Sequence, residues 1–93
     1  MGSSERPTLL ITGVAEGFGA SIARTFAAAG HDVVGLARSD RSAAHLARLV
    51  GEGGGAYAHL ICDLTQPAEV ADVLRPHVER IAVLVHNAAP LLI

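Results

Sequence analysis

Hydrophobic positions along the 93-residue chain fall into two patterns that alternate. Thr8–Thr12, Asp32–Ala37 and Ile81–His86 are short, nearly unbroken apolar runs rich in branched side chains, and Ala56–Cys62 is a weaker run of the same kind. Gly13, Asp63 and Asn87 directly follow three of these runs, and Asp40 lies three residues beyond the end of Asp32–Ala37. Apolar residues at consecutive positions, not every second one, belong to strands buried on both faces.

The segments between these runs carry helical spacing. From Gly17 to Ala29, Phe18, Ile22 and Phe26 recur every four residues and predict one inward face, with Gly30 as the stop. From about Asp40 to Val50, the residues Ala43, Leu46, Ala47 and Val50 repeat at the same spacing; Ser39 or Asp40 is the expected cap and Gly51 the expected end. Thr65 is the expected cap of a third helix, with Pro67 in its first turn, Val70, Val73 and Leu74 inward, and Pro76 ending or kinking it. The order β-α-β-α-β-α-β with helical links implies right-handed crossovers, parallel strands and helices on both faces of the sheet, which is a partial Rossmann-like three-layer α/β unit.

Composition narrows this picture. One domain is the most that 93 residues allow; 51% of them are apolar, 17% charged and 3% aromatic, so the core is built from Val, Leu, Ile and Ala. Residues 1–6 read as a tail and residues 7–93 as the domain. A net charge of −2 argues against general nucleic-acid or membrane-surface binding, and no apolar run is long enough to span a bilayer. Cys62 is the lone cysteine, which favours a reducing, cytoplasmic setting. The remaining histidines, His31, His45, His59 and His77, show no metal-ligand spacing, and His86 reads as the polar end of its strand rather than a base. All seven basic residues are Arg, so the chain has no Lys.

The most informative stretch is Thr12-Gly13-Val14-Ala15-Glu16-Gly17-Phe18-Gly19, placed where the first strand passes into the first helix. A diphosphate approaching this backbone requires the absence of Cβ atoms, and the first-turn N–H groups with the helix dipole then face the anion. Gly13 supplies the turn, Gly17 the close approach and Gly19 the helix-to-strand contact. The spacing Gly-x3-Gly-x-Gly with a preceding Thr resembles the signature of the short-chain dehydrogenase/reductase family, over the N-terminal part of such a protein. That resemblance implies a sheet of about four strands in the order 3-2-1-4. It implies cofactor contacts from Gly13, Ala15, Glu16, Gly17, Phe18 and Gly19. Asp63 and Leu64 would lie at the adenine, and Asn87 and Ala88, from the family's Asn-Asn-Ala-Gly stretch, near the cofactor's ribose. His86 and Ala89 depart from that stretch.

The family position for an NAD-selecting Asp, eighteen residues after the last glycine, is Ala37. Arg38 and Ser39 follow, and a guanidinium beside a hydroxyl suits a 2′-phosphate, so NADP(H) is the expected cofactor and NAD(H) the less favoured one. Glu16 stands where many NADP(H)-binding members have a basic residue. Hydride transfer in the family uses a Ser and a Tyr-x3-Lys pair. Here the single tyrosine, Tyr57, has Ile61 four residues later and no Lys exists, so no catalytic residue is assigned to this chain.

The functional expectation is therefore the NADP(H)-binding portion of a carbonyl or alcohol oxidoreductase, inactive alone. The alternatives are a non-catalytic nucleotide-binding or dimerising module and a scaffold that has lost nucleotide binding. An open fourth strand and a partly bare sheet face further imply self-association, or pairing with a complementary C-terminal segment.

Overall fold

The computed structural model describes residues 6–15 and 18–87. Its elements are β1 (Thr8–Thr12), α1 (Gly19–Ala28), β2 (Asp32–Ala37), α2 (Ala43–Glu52), β3 (Tyr57–Ile61), α3 (Pro67–Leu74), a 3₁₀ segment (Arg75–Arg80) and β4 (Ile81–His86). All pairings are parallel, in the order β3-β2-β1-β4. β1 lies between two neighbours, and all five of its residues are buried. The unbroken apolar run that marks it in the sequence is the consequence.

Side chains alternate between two cores. Leu9, Ile11 and Val33 meet Ala23 and Ala27 of α1 and Leu46 and Val50 of α2. Leu10, Val34, Leu36 and Cys62 face the other way, against Val70, Val73 and Leu74 of α3. Two helices thus cover one face and one helix the other. On β4, Val83 and Val85 join the first core, whereas Leu84, on the α3 side, is 61% exposed. Among the described residues that strand is the sheet's edge, and nothing covers the sheet beside it on the α3 side.

The helix faces and ends differ from the sequence expectation in ways that packing explains. The buried stripe of α1 is Gly19, Ala23 and Ala27, not Phe18, Ile22 and Phe26; Phe18 is 77% exposed, and Ile22 and Phe26 only flank the core. Small residues win because α1 sits too close to its neighbours for anything larger. A Cβ on Gly53, at the end of α2, would stand 2.8 Å from the Ala28 nitrogen and 2.9 Å from the Ala27 carbonyl carbon. Gly30 ends α1 as expected, with φ +104°, and its N–H donates to Ala27 O while that of His31 donates to Phe26 O. This double bond pattern is a Schellman stop.

α2 begins later and ends later than the sequence pattern suggests. Ser42 precedes it without a side-chain cap, so neither Ser39 nor Asp40 fills that role; Asp40 instead accepts the Ala43 N–H through its backbone carbonyl. The helix runs through Gly51, and the left-handed turn falls to Gly54 at φ +88°. For α3 the preceding residue is Gln66, and Thr65 donates to Asp63 rather than capping. Pro76 falls inside the 3₁₀ segment that ends the helix, where its missing N–H and its ring forbid a further α turn.

Arg6 ties the N-terminal end of the sheet together. Its guanidinium pairs with Asp32 Oδ1 at 3.1 Å and donates to Ala27 O, which also accepts the Gly30 N–H, and to His31 O just beyond α1. Asp32 Oδ1 also accepts the Ala56 N–H, so one ion pair joins α1, β2 and the start of β3.

Candidate functional site

The opposite, C-terminal end of the strands carries the chemistry. β1 passes into Gly13, whose φ of +66° is the left-handed conformation that favours glycine and turns the chain sharply. Val14 then reaches across to β2, donating its N–H to Leu36 O. α1 begins at Gly19, two residues later than expected. A Cβ there would collide with the Val14 carbonyl oxygen and stand 2.6 Å from its carbon, so the contact that requires this glycine is with the loop backbone rather than the strand.

β4 holds this turn from its other side. The Asn87 N–H donates to Thr12 O, its side-chain Nδ2 donates to Gly13 O at 2.9 Å, and Thr12 Oγ1 is bonded to His86 Nδ1 at 2.7 Å. The turn's carbonyls are thereby drawn back toward β4. Among the described residues no side chain caps the N-terminus of α1, and its first turn, from Gly19, holds no acidic residue. First-turn amides at the positive end of the helix dipole have the polarity that suits an anion. Ala15 lies exposed on this loop and Phe18 presents an exposed ring beside the helix start. Glu16, Gly17 and Ala88, also expected at the site, lie outside the described residues.

A second feature sits at the ends of β2 and β3. Arg38, Ile61, Cys62, Asp63 and Glu69 line an open hollow of about 290 Å³. Arg38 is exposed immediately after the last residue of β2. Asp63 accepts two bonds through Oδ1, from the Thr65 hydroxyl at 2.7 Å and the Thr65 amide at 2.9 Å. Those bonds, with a smaller contribution from the Arg38 charge, hold its carboxyl below the ordinary Asp range. Burial, aided by Glu69 and Asp63, pushes the Cys62 thiol up, which suits an inert core residue and not a nucleophile.

The structure gathers Arg38 and Asp63 into one hollow and Gly13, Gly19 and Asn87 into one turn. It does not bring Leu64 to the hollow: that side chain packs against the second core. Ser39 engages its neighbours, its Oγ accepting the Arg41 N–H at 3.4 Å and its carbonyl a bond from His59. Sequence reasoning missed Ile61 and Glu69. Ile61 reads as the buried end of a strand but is 50% exposed, and Glu69 comes from a different element whose packing no local pattern reveals.

A parallel sheet whose order reverses beside its first strand, with a glycine turn leading into a helix at that switch point, has the architecture of a Rossmann-type unit. The chain belongs to the short-chain dehydrogenase family, whose model matches residues 7–91. Over 86 residues it is 35% identical to D-beta-hydroxybutyrate dehydrogenase of Rhizobium meliloti, an alignment covering 87% of this chain and 33% of that protein. Among solved structures it resembles NADH-dependent reductase A1-R′ complexed with NAD (TM-score 0.80, 34% identity), covering 98% of this chain and 40% of that one. It also resembles a metagenomic short-chain oxidoreductase in complex with NADP (TM-score 0.74, 32% identity), covering 91% and 39% respectively. The chain thus spans about a third of the length of the curated relatives it matches.

Proposed function

We propose that this chain is the NADP(H)-binding N-terminal portion of a carbonyl or alcohol oxidoreductase. The observation that carries the reading is Arg38, exposed at the end of β2 directly after Ala37, where NAD-selecting sites present a carboxylate. Its guanidinium suits bidentate pairing with a ribose 2′-phosphate, and the Ser39 hydroxyl adds a second donor. The left-handed Gly13, the Gly19 contact and a start of α1 that no described side chain caps fit a diphosphate that must approach backbone amides closely. The amides from Ala15 to Phe18 would hold it, Asp63 would accept from the adenine amino group in the hollow, and Asn87 and Ala88 would border the cofactor's ribose.

When bound, the cofactor supplies or accepts the hydride. The residues of this chain bind it and orient it, and none of them is assigned to move the proton, because a Tyr-x3-Lys pair cannot occur in a sequence without Lys. Titration with NADPH and NADH tests the reading. NADPH is expected to bind more tightly, and Arg38→Ala to weaken NADPH binding by about 10- to 100-fold, the worth of a hydrogen-bonded charge, with NADH binding little changed. Equal affinity for the two in the parent chain contradicts it.

The exposed Leu84 and the open edge of β4 favour a second reading alongside the first, a nucleotide-binding module that associates through that edge. Either another copy or a complementary C-terminal segment would cover the bare face, in a cytoplasmic setting. Sedimentation separates the readings: self-association at micromolar concentration that Leu84→Lys abolishes supports the module. Reductase turnover appearing only when a C-terminal segment is supplied supports the enzyme portion.

A further inference from the structure

The sequence places Tyr57 and His59 two residues apart on β3, and both side chains fall on the side of the sheet shared by α1 and α2. The Tyr57 hydroxyl lies 2.6 Å from His59 Nδ1, and His59 Nε2 lies 2.8 Å from the carbonyl oxygen of Ser39. A carbonyl only accepts, so Nε2 carries the proton and donates to Ser39. Nδ1 of the neutral ring is then an acceptor, and Tyr57 donates to it. Burial pushes the Tyr57 hydroxyl well above its ordinary value, which keeps that donor protonated.

The arrangement depends on a notch in β2. A Cβ on Gly35 would collide with the Tyr57 hydroxyl oxygen and would stand 2.7 Å from Val14 Cγ1 and 3.0 Å from Val14 Cβ. Gly35 therefore lets Tyr57 and the glycine turn meet over the same spot. The far end of the chain of contacts is the loop between β2 and α2. That loop has little else to fix it: α2 lacks a side-chain cap, and the Ser39 Oγ bond from the Arg41 N–H is long at 3.4 Å. Among the described residues, His59 supplies the one hydrogen bond that reaches residues 38–42 from a side chain of another element. Because a peptide unit is planar, aiming the Ser39 carbonyl at His59 also turns the Asp40 N–H to the opposite side.

We propose that Tyr57 and His59 are positioning residues that buttress the loop bearing Arg38 and Ser39 and thereby set selectivity for a ribose 2′-phosphate. The proposal rests on the cofactor reading above but concerns residues that do not touch the ligand. It explains why a histidine and the only tyrosine stand at alternate positions of a strand that otherwise reads as plain apolar core.

The test uses the 93-residue chain, with adenosine 2′,5′-bisphosphate and adenosine 5′-monophosphate as probes that differ only in the 2′-phosphate. Preference for the bisphosphate is expected to fall about fivefold in His59→Leu, the worth of one hydrogen bond, with a smaller fall in Tyr57→Phe. His59→Gln, whose amide places a donor near the imidazole Nε2 position, should recover most of the preference. In the free chain, amide exchange across residues 38–42 should quicken in His59→Leu while that of α2 beyond Leu46 does not. The parent imidazole should show the Nε2-protonated form by nitrogen NMR. A parent chain with no preference for the bisphosphate defeats the cofactor reading itself. A preference that Arg38→Ala removes and both β3 variants keep, or loop exchange indifferent to His59, overturns the buttress.

Discussion

Adding one methyl group at Gly19 and at Gly51 is expected to move stability in opposite directions, although both positions are helical. At Gly19 the added carbon meets the backbone of Val14: it collides with the carbonyl oxygen and lies 2.6 Å from the carbon and 2.9 Å from Cα. Backbone on one side and a packed helix on the other leave no rotamer to relieve the clash, so α1 must shift. Overpacking of this kind costs about 1–3 kcal/mol. The propensity gain of Ala over Gly is reduced at the first helical position, so the net remains a loss. For a domain of this size that loss lowers the melting temperature by about 4–20 °C. At Gly51, inside α2, nothing lies within 4 Å of the added carbon. Gly51 lies in the last turn of α2, so the helix-propensity gain is at most about 0.5–1 kcal/mol, with no clash to offset it. Thermal and urea unfolding followed by far-ultraviolet circular dichroism reads both variants on one scale. Gly19→Ala melting with the parent chain would refute the close approach of helix and turn, and with it the geometry of the site.

Other consequences follow from the same contacts. Arg6→Ala removes the ion pair to Asp32 and the donor to His31 O, leaving Asp32 with the Ala56 N–H and Ala27 O with the Gly30 N–H, and should lower the urea-derived stability by about 1–3 kcal/mol. Asp63 has a folded-state pKa below its unfolded value. Its contribution to stability is therefore present above about pH 4 and is lost as pH falls through the depressed value. Asp63→Asn should accordingly flatten that part of the acid limb of a stability–pH profile. Tyr57 is shifted the other way, so its contribution is complete below about pH 10 and declines as pH rises above it. Tyr57→Phe should blunt alkaline destabilisation in that window.

Strands were legible in the sequence and helix faces were not, for a physical reason. Thr8–Thr12 and Asp32–Ala37 are found where the apolar runs place them, because a strand covered on both sides tolerates few polar residues. Ile81–His86 is also a strand at its run, but Ala82, Leu84 and His86 are exposed, so there the unbroken apolar run did not report burial on both faces. The inward face of α1 was misread because hydrophobic size was taken as the signal. Tight approach to α2 and to the glycine turn selects Gly19, Ala23 and Ala27 instead, and leaves Phe18 exposed. Caps failed similarly: Ser39, Asp40 and Thr65 all have the right chemistry, but each side chain or carbonyl finds a nearer partner, and helix starts yield to that local competition. At the site, the glycine turn was legible since its requirement is local. Ile61 and Glu69 in the hollow, and the Tyr57–His59 contact with Ser39, arise from elements brought together only by the sheet.

Amide chemical-shift mapping of the nitrogen-labelled chain during NADPH titration addresses the central claim most directly. The account predicts its largest displacements at Gly13 to Ala15 and at Phe18 to Ser21, with a second group at Arg38 and Ser39 that NADH fails to move. Saturable displacements confined to other parts of the surface, or none at millimolar NADPH, would contradict a diphosphate held by this turn and helix start.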